Sequence, residues 1–143
     1  MCSSDLGAID GLDLGQNAKA ALMTRSLQEM IRFGAIFQAK PATFFGLSGI
    51  GDLMATCMSS LSRNWQVGYA LATYKGKNSP LHDEHVVAEG VRTTQIVFNL
   101  LKKYDVDMPI TRQVHACLFE NKNLEEGIRA LMGRELRAEN ESL

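Results

Sequence analysis

Between Asn17 and about Gln38 the apolar positions Ala18, Ala21, Leu22, Met30, Ile31 and Gly34 recur at helical spacing, while Lys19, Arg25, Glu29 and Arg32 fall mostly on the other side. Ala, Leu, Met, Gln and Glu dominate this stretch, so propensity and period agree on one long helix, with Asn17 as its expected N-cap. Pro41 suits the first position of a further helix, because its missing N–H would have no partner there. "PATFFGL" therefore reads as a short helix, interrupted by Gly46, Gly49 and Gly51, and a second short helix follows over about Asp52 to Met58.

After the polar "SSLSRN", the run Trp65, Gly68, Tyr69, Leu71 and Ala72 predicts a helix from Asn64 that ends before the charged loop "KGKNSP". Thr93 and Thr94 precede "QIVFNLLKKY", whose two closing lysines complement a helix dipole. Pro109 opens another helix through "ITRQVHACLFEN", and "NLEEGIRALMG" starts on an asparagine cap with two glutamates and stops at Gly133. The tail "RELRAENESL" is polar and expected to fray. No segment sustains a period of two with β-branched enrichment, so the fold class is all-α: an irregular bundle of about six helices around the long one.

Composition narrows the function classes. With 143 residues and 45% hydrophobic composition the chain can build one ordinary core. The 15 basic and 16 acidic residues leave a net charge of -1 without a basic stripe, which argues against a nucleic-acid partner. Cys2, Cys57 and Cys117 are odd in number and widely spaced, suiting neither a disulfide framework nor a zinc site, and they point to a reducing, cytoplasmic setting. "MCSSDLGAID" lacks the regions of a secretory signal, and no run approaches the ~18 apolar residues of a membrane span.

Several stretches invite chemistry. "GIGDLM" contains a G-x-G, but a helix precedes it and Met54 stands where a dinucleotide fingerprint needs its third glycine, so close packing is the plainer reading. His82 and His85 form an H-x-x-H pair with no further ligand at a known spacing, and a solvated loop explains them better than a metal site. His115, near Cys117 and Leu118, reads as a packed or surface histidine.

"GIGDLMATCMSSLSRN" is harder to set aside. Asp52 and Thr56 lie four apart and share a helix face, and Ser62, Arg63 and Asn64 lead into a helix start. Unpaired N–H groups, an arginine fork and two side-chain donors make a cradle for a phosphate or carboxylate. An Asp52–Arg63 ion pair with Ser62 as a cap accounts for the same residues equally well. In "VVAEGVRTT" Glu89 and a glycine sit between an apolar pair and a threonine-capped helix, and an ordinary surface carboxylate is the simpler account.

Taken in order, "DGLDLGQNAKAAL", "PATFFGLSGIGDLMATCMSSLSRN", "VAEGVRTT", "DMPIT" and "ALMGRE" closely resemble the C-terminal domain of bacterial NAD(P)-dependent glycerol-3-phosphate dehydrogenase, from about Gly7 to Arg134. The resemblance implies an all-α domain that follows a Rossmann domain. It also implies interconversion of dihydroxyacetone phosphate and sn-glycerol 3-phosphate by hydride transfer with NAD or NADP, for glycerophospholipid synthesis. By the same resemblance Asp52 binds substrate and orients a catalytic lysine, Ser62, Arg63 and Asn64 hold the phosphate end, and Thr56 lies near the substrate. Arg63, Val87 and Glu89 line the cofactor's side of the cleft.

The family's K-N pair, whose lysine is the general acid/base, would precede the "DGL" segment and is not in this sequence. Residues 1–6 do not follow the family's pattern and are read as an unmatched leader, divergent or foreign, ahead of a domain at 7–143. Without the lysine and the Rossmann domain the chain is expected not to turn over. Neither Lys19 nor Lys40 matches the lysine's position. Apolar surface left uncovered by the missing domain would favour a homodimer. A free-standing helical binding module is the alternative function, and the preceding genomic sequence would separate the two.

Overall fold

The computed structural model describes residues 2–73 and 89–133, and among them every regular element is helical. The order is α1 (Cys2–Gly11), α2 (Gly15–Ile36), α3 (Pro41–Phe44), a π-helical turn (Leu47–Gly51), α4 (Asp52–Cys57), α5 (Arg63–Thr73), α6 (Glu89–Tyr104), α7 (Pro109–Phe119) and α8 (Leu124–Met132). The "KGKNSP" loop, the His82/His85 pair, Val87 and the "RELRAENESL" tail lie outside the described residues.

The long helix is present, but its start differs from the expected one. It begins at Gly15 with Leu14 at the cap position and no side-chain cap, so Asn17 lies inside the first turn. The reason is the reversal out of α1: Leu14 N–H reaches Ile9 O at 3.2 Å, and Gly15 takes a φ of +83°, which a glycine adopts without strain. Residues of "CSSDLGAIDG", given no element by periodicity, form α1 because Leu6, Ala8 and Ile9 are each 1% exposed in the core.

α1 packs closely on α5. A Cβ on Gly7 would fall on the Trp65 carbonyl oxygen, so the two backbones meet where α1 lacks a side chain. Leu22, Leu27 and Ile31 of α2, Leu53 and Cys57 of α4, Ile110 and Val114 of α7, and Ile128 and Leu131 of α8 complete one continuous core. Arg25 of α2 donates to the Leu131 carbonyl, fastening the end of α8 to the long helix. Asn123 caps α8 by accepting from Glu126 N–H at 3.2 Å, and Pro41 and Pro109 open α3 and α7 as their sequence positions required.

Two polar readings of the sequence are revised. Thr93 and Thr94 do not cap a helix, because α6 begins at Glu89; the Thr94 hydroxyl instead donates to Gly90 O at 2.7 Å within α6. Glu29, which the periodicity placed away from the apolar side, is 3% exposed. It accepts from Ile110 N–H at 2.5 Å, Thr111 N–H at 3.1 Å and the Thr111 hydroxyl at 3.0 Å, so a carboxylate of α2 caps the first turn of α7. Arg32, one turn along, donates to Asp107 O at 2.8 Å. Together they account for "DMPIT": Asp107, Ile110 and Thr111 enter this grip, Met108 is buried beside it, and Pro109 opens the helix.

Burial pushes the Glu29 carboxyl up from its ordinary value, and the hydrogen bonds from Ile110 and Thr111 with the Arg32 charge pull it part-way back. A raised pKa means that the folded chain holds this proton more tightly than the unfolded one. The group's contribution to stability is therefore fullest below the ordinary value and falls as pH rises through the folded value. Glu29→Ala is expected to cost roughly 3 kcal/mol by stranding the α7 amides. Urea midpoints from about pH 4 to pH 7 are expected to fall for the wild type relative to Glu29→Gln, and parallel curves would refute this.

Candidate functional site

The opening of α4 is aimed by its buried edge. Leu53 and Cys57 are 6% and 1% exposed, so their side chains enter the core and Asp52, the first residue of α4, is left exposed, with Thr56 half-buried one turn on. Gly49, in the π-helical turn just before, is buried against the Phe44 backbone. Gly49 of the G-x-G thus serves close packing, while Gly51 makes only ordinary contacts, and no strand precedes them. Leu47, Met58 and Leu61, on either side of the segment in sequence, are 92%, 69% and 85% exposed, so apolar surface is left open there.

A tight turn joins α4 to α5. Ser62 N–H bonds Ser59 O at 3.1 Å, and the Ser62 hydroxyl accepts from Trp65 N–H at 3.4 Å, a long cap on the first turn of α5. Arg63 is the first residue of α5 and is exposed. Among the described residues no ion pair joins Asp52 to Arg63, so only the serine half of the ion-pair alternative is present.

Asn64 brings two distant motifs together. Its Oδ1 accepts from Gly90 N–H at 3.1 Å, which caps the start of α6 from the start of α5 across 26 positions of sequence. A Cβ on Gly90 would lie 2.5 Å from that same oxygen, so the glycine of "AEGV" is what lets the cap form. Asn64 is half-buried, and with its oxygen so used its amide N–H₂ is the part suited to a ligand. The Glu89 side chain lies outside the described residues.

Sequence reasoning passed over two residues that hold this corner. Trp65 Nε1–H donates to Asp10 Oδ2 at 2.8 Å, and Lys19 Nζ donates to the same oxygen at 2.7 Å. The Trp65 ring stacks on Tyr69, centroids 4.9 Å apart. The available signal was a single tryptophan directly after S-R-N. Lys19 is thus tied to Asp10 as a structural ion pair.

Other candidates resolve as structure. His115 is 6% exposed, stacked on Phe98 at 3.5 Å, with Nδ1 3.0 Å from Glu120 Oε1, so it is a packed histidine. Burial, then the Asp5 charge, pushes the Cys117 thiol up to about 11, which keeps it protonated at neutral pH. No disulfide joins Cys57 and Cys117. A cavity of about 30 Å³ between α1, α2, α5, α7 and α8 is lined mainly by apolar side chains, Leu22, Val114 and Ile128 among them. That is room for at most one or two waters and too little for a phosphorylated metabolite.

The arrangement can bind an anion at the exposed arginine on the positive end of an eleven-residue helix. Residues 2–129 match the profile described as NAD-dependent glycerol-3-phosphate dehydrogenase C-terminus. The chain belongs to that family. A glycerol-3-phosphate dehydrogenase [NAD(P)+] of Listeria monocytogenes is 49% identical over 136 residues, covering 95% of this chain and 40% of its own length. One from Salinibacter ruber is 50% identical over 134 residues, 94% of this chain and 39% of that protein.

The crystal structure of glycerol-3-phosphate dehydrogenase from Coxiella burnetii superposes with a TM-score of 0.85 at 38% identity, over 93% of this chain and 41% of that one. This chain therefore spans about 40% of the length of the glycerol-3-phosphate dehydrogenases it matches. Among the described residues no helix is long and apolar enough to cross a membrane.

Asn64→Ala is expected to open the start of α6 at a cost of about 1 kcal/mol. Amide exchange should speed up at Gly90 while α8, capped by its own Asn123, is unaffected. Unchanged protection at Gly90 would count against the interhelix cap.

Proposed function

We propose that this chain forms the substrate side of a glycerol-3-phosphate dehydrogenase, acting on dihydroxyacetone phosphate and sn-glycerol 3-phosphate for glycerophospholipid synthesis. One observation carries the reading. Asn64 ties the S-R-N start of α5 to the E-G start of α6, while Arg63, between that anchor and the turn, keeps an exposed guanidinium at a helix N-terminus. That is a geometry suited to a dianionic phosphate.

In this reading Ser62, Arg63 and the Asn64 amide hold the phosphate end, and Thr56 lies near the three-carbon body. Asp52, exposed on α4, positions a lysine that this sequence does not contain. Arg63 also faces the cofactor, with Val87 and Glu89 on that side. NAD or NADP, when bound in the complete enzyme, supplies or accepts the hydride. The exposed Arg63 guanidinium fits such a group, because a planar fork can bridge two anionic oxygens where a lysine offers a point charge. A cytoplasmic setting and a homodimer complete the proposal, along with an amino-terminal cofactor domain that covers the apolar face around Leu47, Met58 and Leu61.

The reading is tested by joining this chain to the amino-terminal portion of the Listeria monocytogenes relative. In that enzyme Arg63→Ala is expected to raise KM for dihydroxyacetone phosphate by about 10²-fold, and an unchanged KM and kcat would end the phosphate-site reading. The 143-residue chain by itself is expected to show no NADH oxidation with dihydroxyacetone phosphate, and measurable turnover would overturn that expectation.

A further inference from the structure

Arg63 has a defended position that the phosphate reading does not explain. The two residues that follow it are each anchored to a different helix: Asn64 to α6 through Gly90 N–H at 3.1 Å, and Trp65 to α1 through Asp10 Oδ2 at 2.8 Å. We infer that Asp10 is a positioning residue for anion binding, acting through Trp65 to hold the first turn of α5 and thereby the base of Arg63. The inference rests on the reading of Arg63 as an anion ligand.

The geometry of Asp10 suits this task. It sits at the end of α1, and the same carboxylate oxygen takes Lys19 Nζ from α2 at 2.7 Å and the indole N–H from α5 at 2.8 Å. Lys19 and Asp10 are 14% and 27% exposed at their side chains, so the pair is largely shielded from competing water. Stacking on Tyr69 holds the indole ring against rotation, and the Asp10 contact fixes its edge. An indole held in this way removes the main freedom left to residues 63–65, since the Ser62 cap below is long at 3.4 Å.

An arginine with a mobile base loses affinity, because the ordering that fixes its fork against a phosphate must then be supplied at binding. Asp10→Ala removes the acceptor for both partners. Asp10→Asn keeps an oxygen for the indole N–H and discards the ion pair with Lys19, so it separates positioning of Trp65 from simple charge pairing.

The chain has one tryptophan, and its fluorescence therefore reports on this corner alone. The experiment titrates the 143-residue chain with sn-glycerol 3-phosphate and with inorganic phosphate, following Trp65 emission, and records the thermal midpoint of each variant. Asp10→Ala is expected to weaken sn-glycerol 3-phosphate binding about tenfold and shift Trp65 emission to the red, while Asp10→Asn stays within about twofold of wild type. Leu101→Ala, a core truncation in α6 at a side chain with 0% exposure, should lower the thermal midpoint without the affinity loss.

Unchanged affinity in Asp10→Ala would overturn the inference. So would an Asp10→Asn variant as weak as Asp10→Ala, or an affinity loss in Leu101→Ala of the same size. Arg63→Ala separates the two levels: if it binds as the wild type does, or the wild type shows no saturable response, the anion-site reading fails and the inference falls with it. If Arg63→Ala loses binding and Asp10→Ala does not, the positioning role alone is wrong.

Discussion

Two backbone N–H groups at the start of α7 are enclosed by the core, and they need an acceptor that water cannot supply. Glu29 provides it from the long helix, with both carboxylate oxygens engaged by Ile110 and Thr111. Because α7 carries Ile110 and Val114 into the same core as Leu22 and Ile31, placing its first turn also places that hydrophobic cluster. Arg32 seizes the preceding turn at Asp107, so one face of α2 sets where α7 begins. Burying the carboxylate is costly, as the upward shift of its pKa records, and the helix it captures is the return.

The same device recurs at the candidate site in neutral form. Asn64 caps α6 as Glu29 caps α7: each helix start is satisfied by a side chain from elsewhere in the bundle. This contrasts with α8, whose cap comes from the residue just before it. A local cap fixes where a helix begins along the chain. An interhelix cap also fixes it in space, which is what the proposed anion site at these two helix starts requires. Asp10 adds a third tie by gripping Trp65, and Arg63 alone among these neighbours keeps its charged end exposed.

Much of this was legible in the residues. The long helix, the prolines opening α3 and α7, the Asn123 cap and the short α4 from Asp52 follow from local rules of period, φ and capping. The family resemblance, carried by "GIGDLMATC", "SRN" and "EGVRTT", named the residues at the α5 and α6 starts. What periodicity misjudged was Glu29, since a buried acid on a long helix has the same spacing as a surface one. It gave no element to α1, whose apolar run is short and rests on contacts with α5. It took Thr93 and Thr94 for a cap because threonines do favour that position, whereas Thr94 is turned back onto Gly90 inside α6.

The amino-acid sequence by itself determined the all-α class, most helix boundaries and the family, because those depend on nearest neighbours along the chain and on residues in a recognisable order. The tertiary structure decided which polar groups serve one another. Glu29 and Thr111 are 82 positions apart, Asn64 and Gly90 are 26, and Asp10 and Trp65 are 55. No local rule links such pairs, since a carboxylate or amide at a given position looks alike whether it meets water or a distant helix. Packing excluded the water, and the partners then followed from the need to satisfy every buried donor.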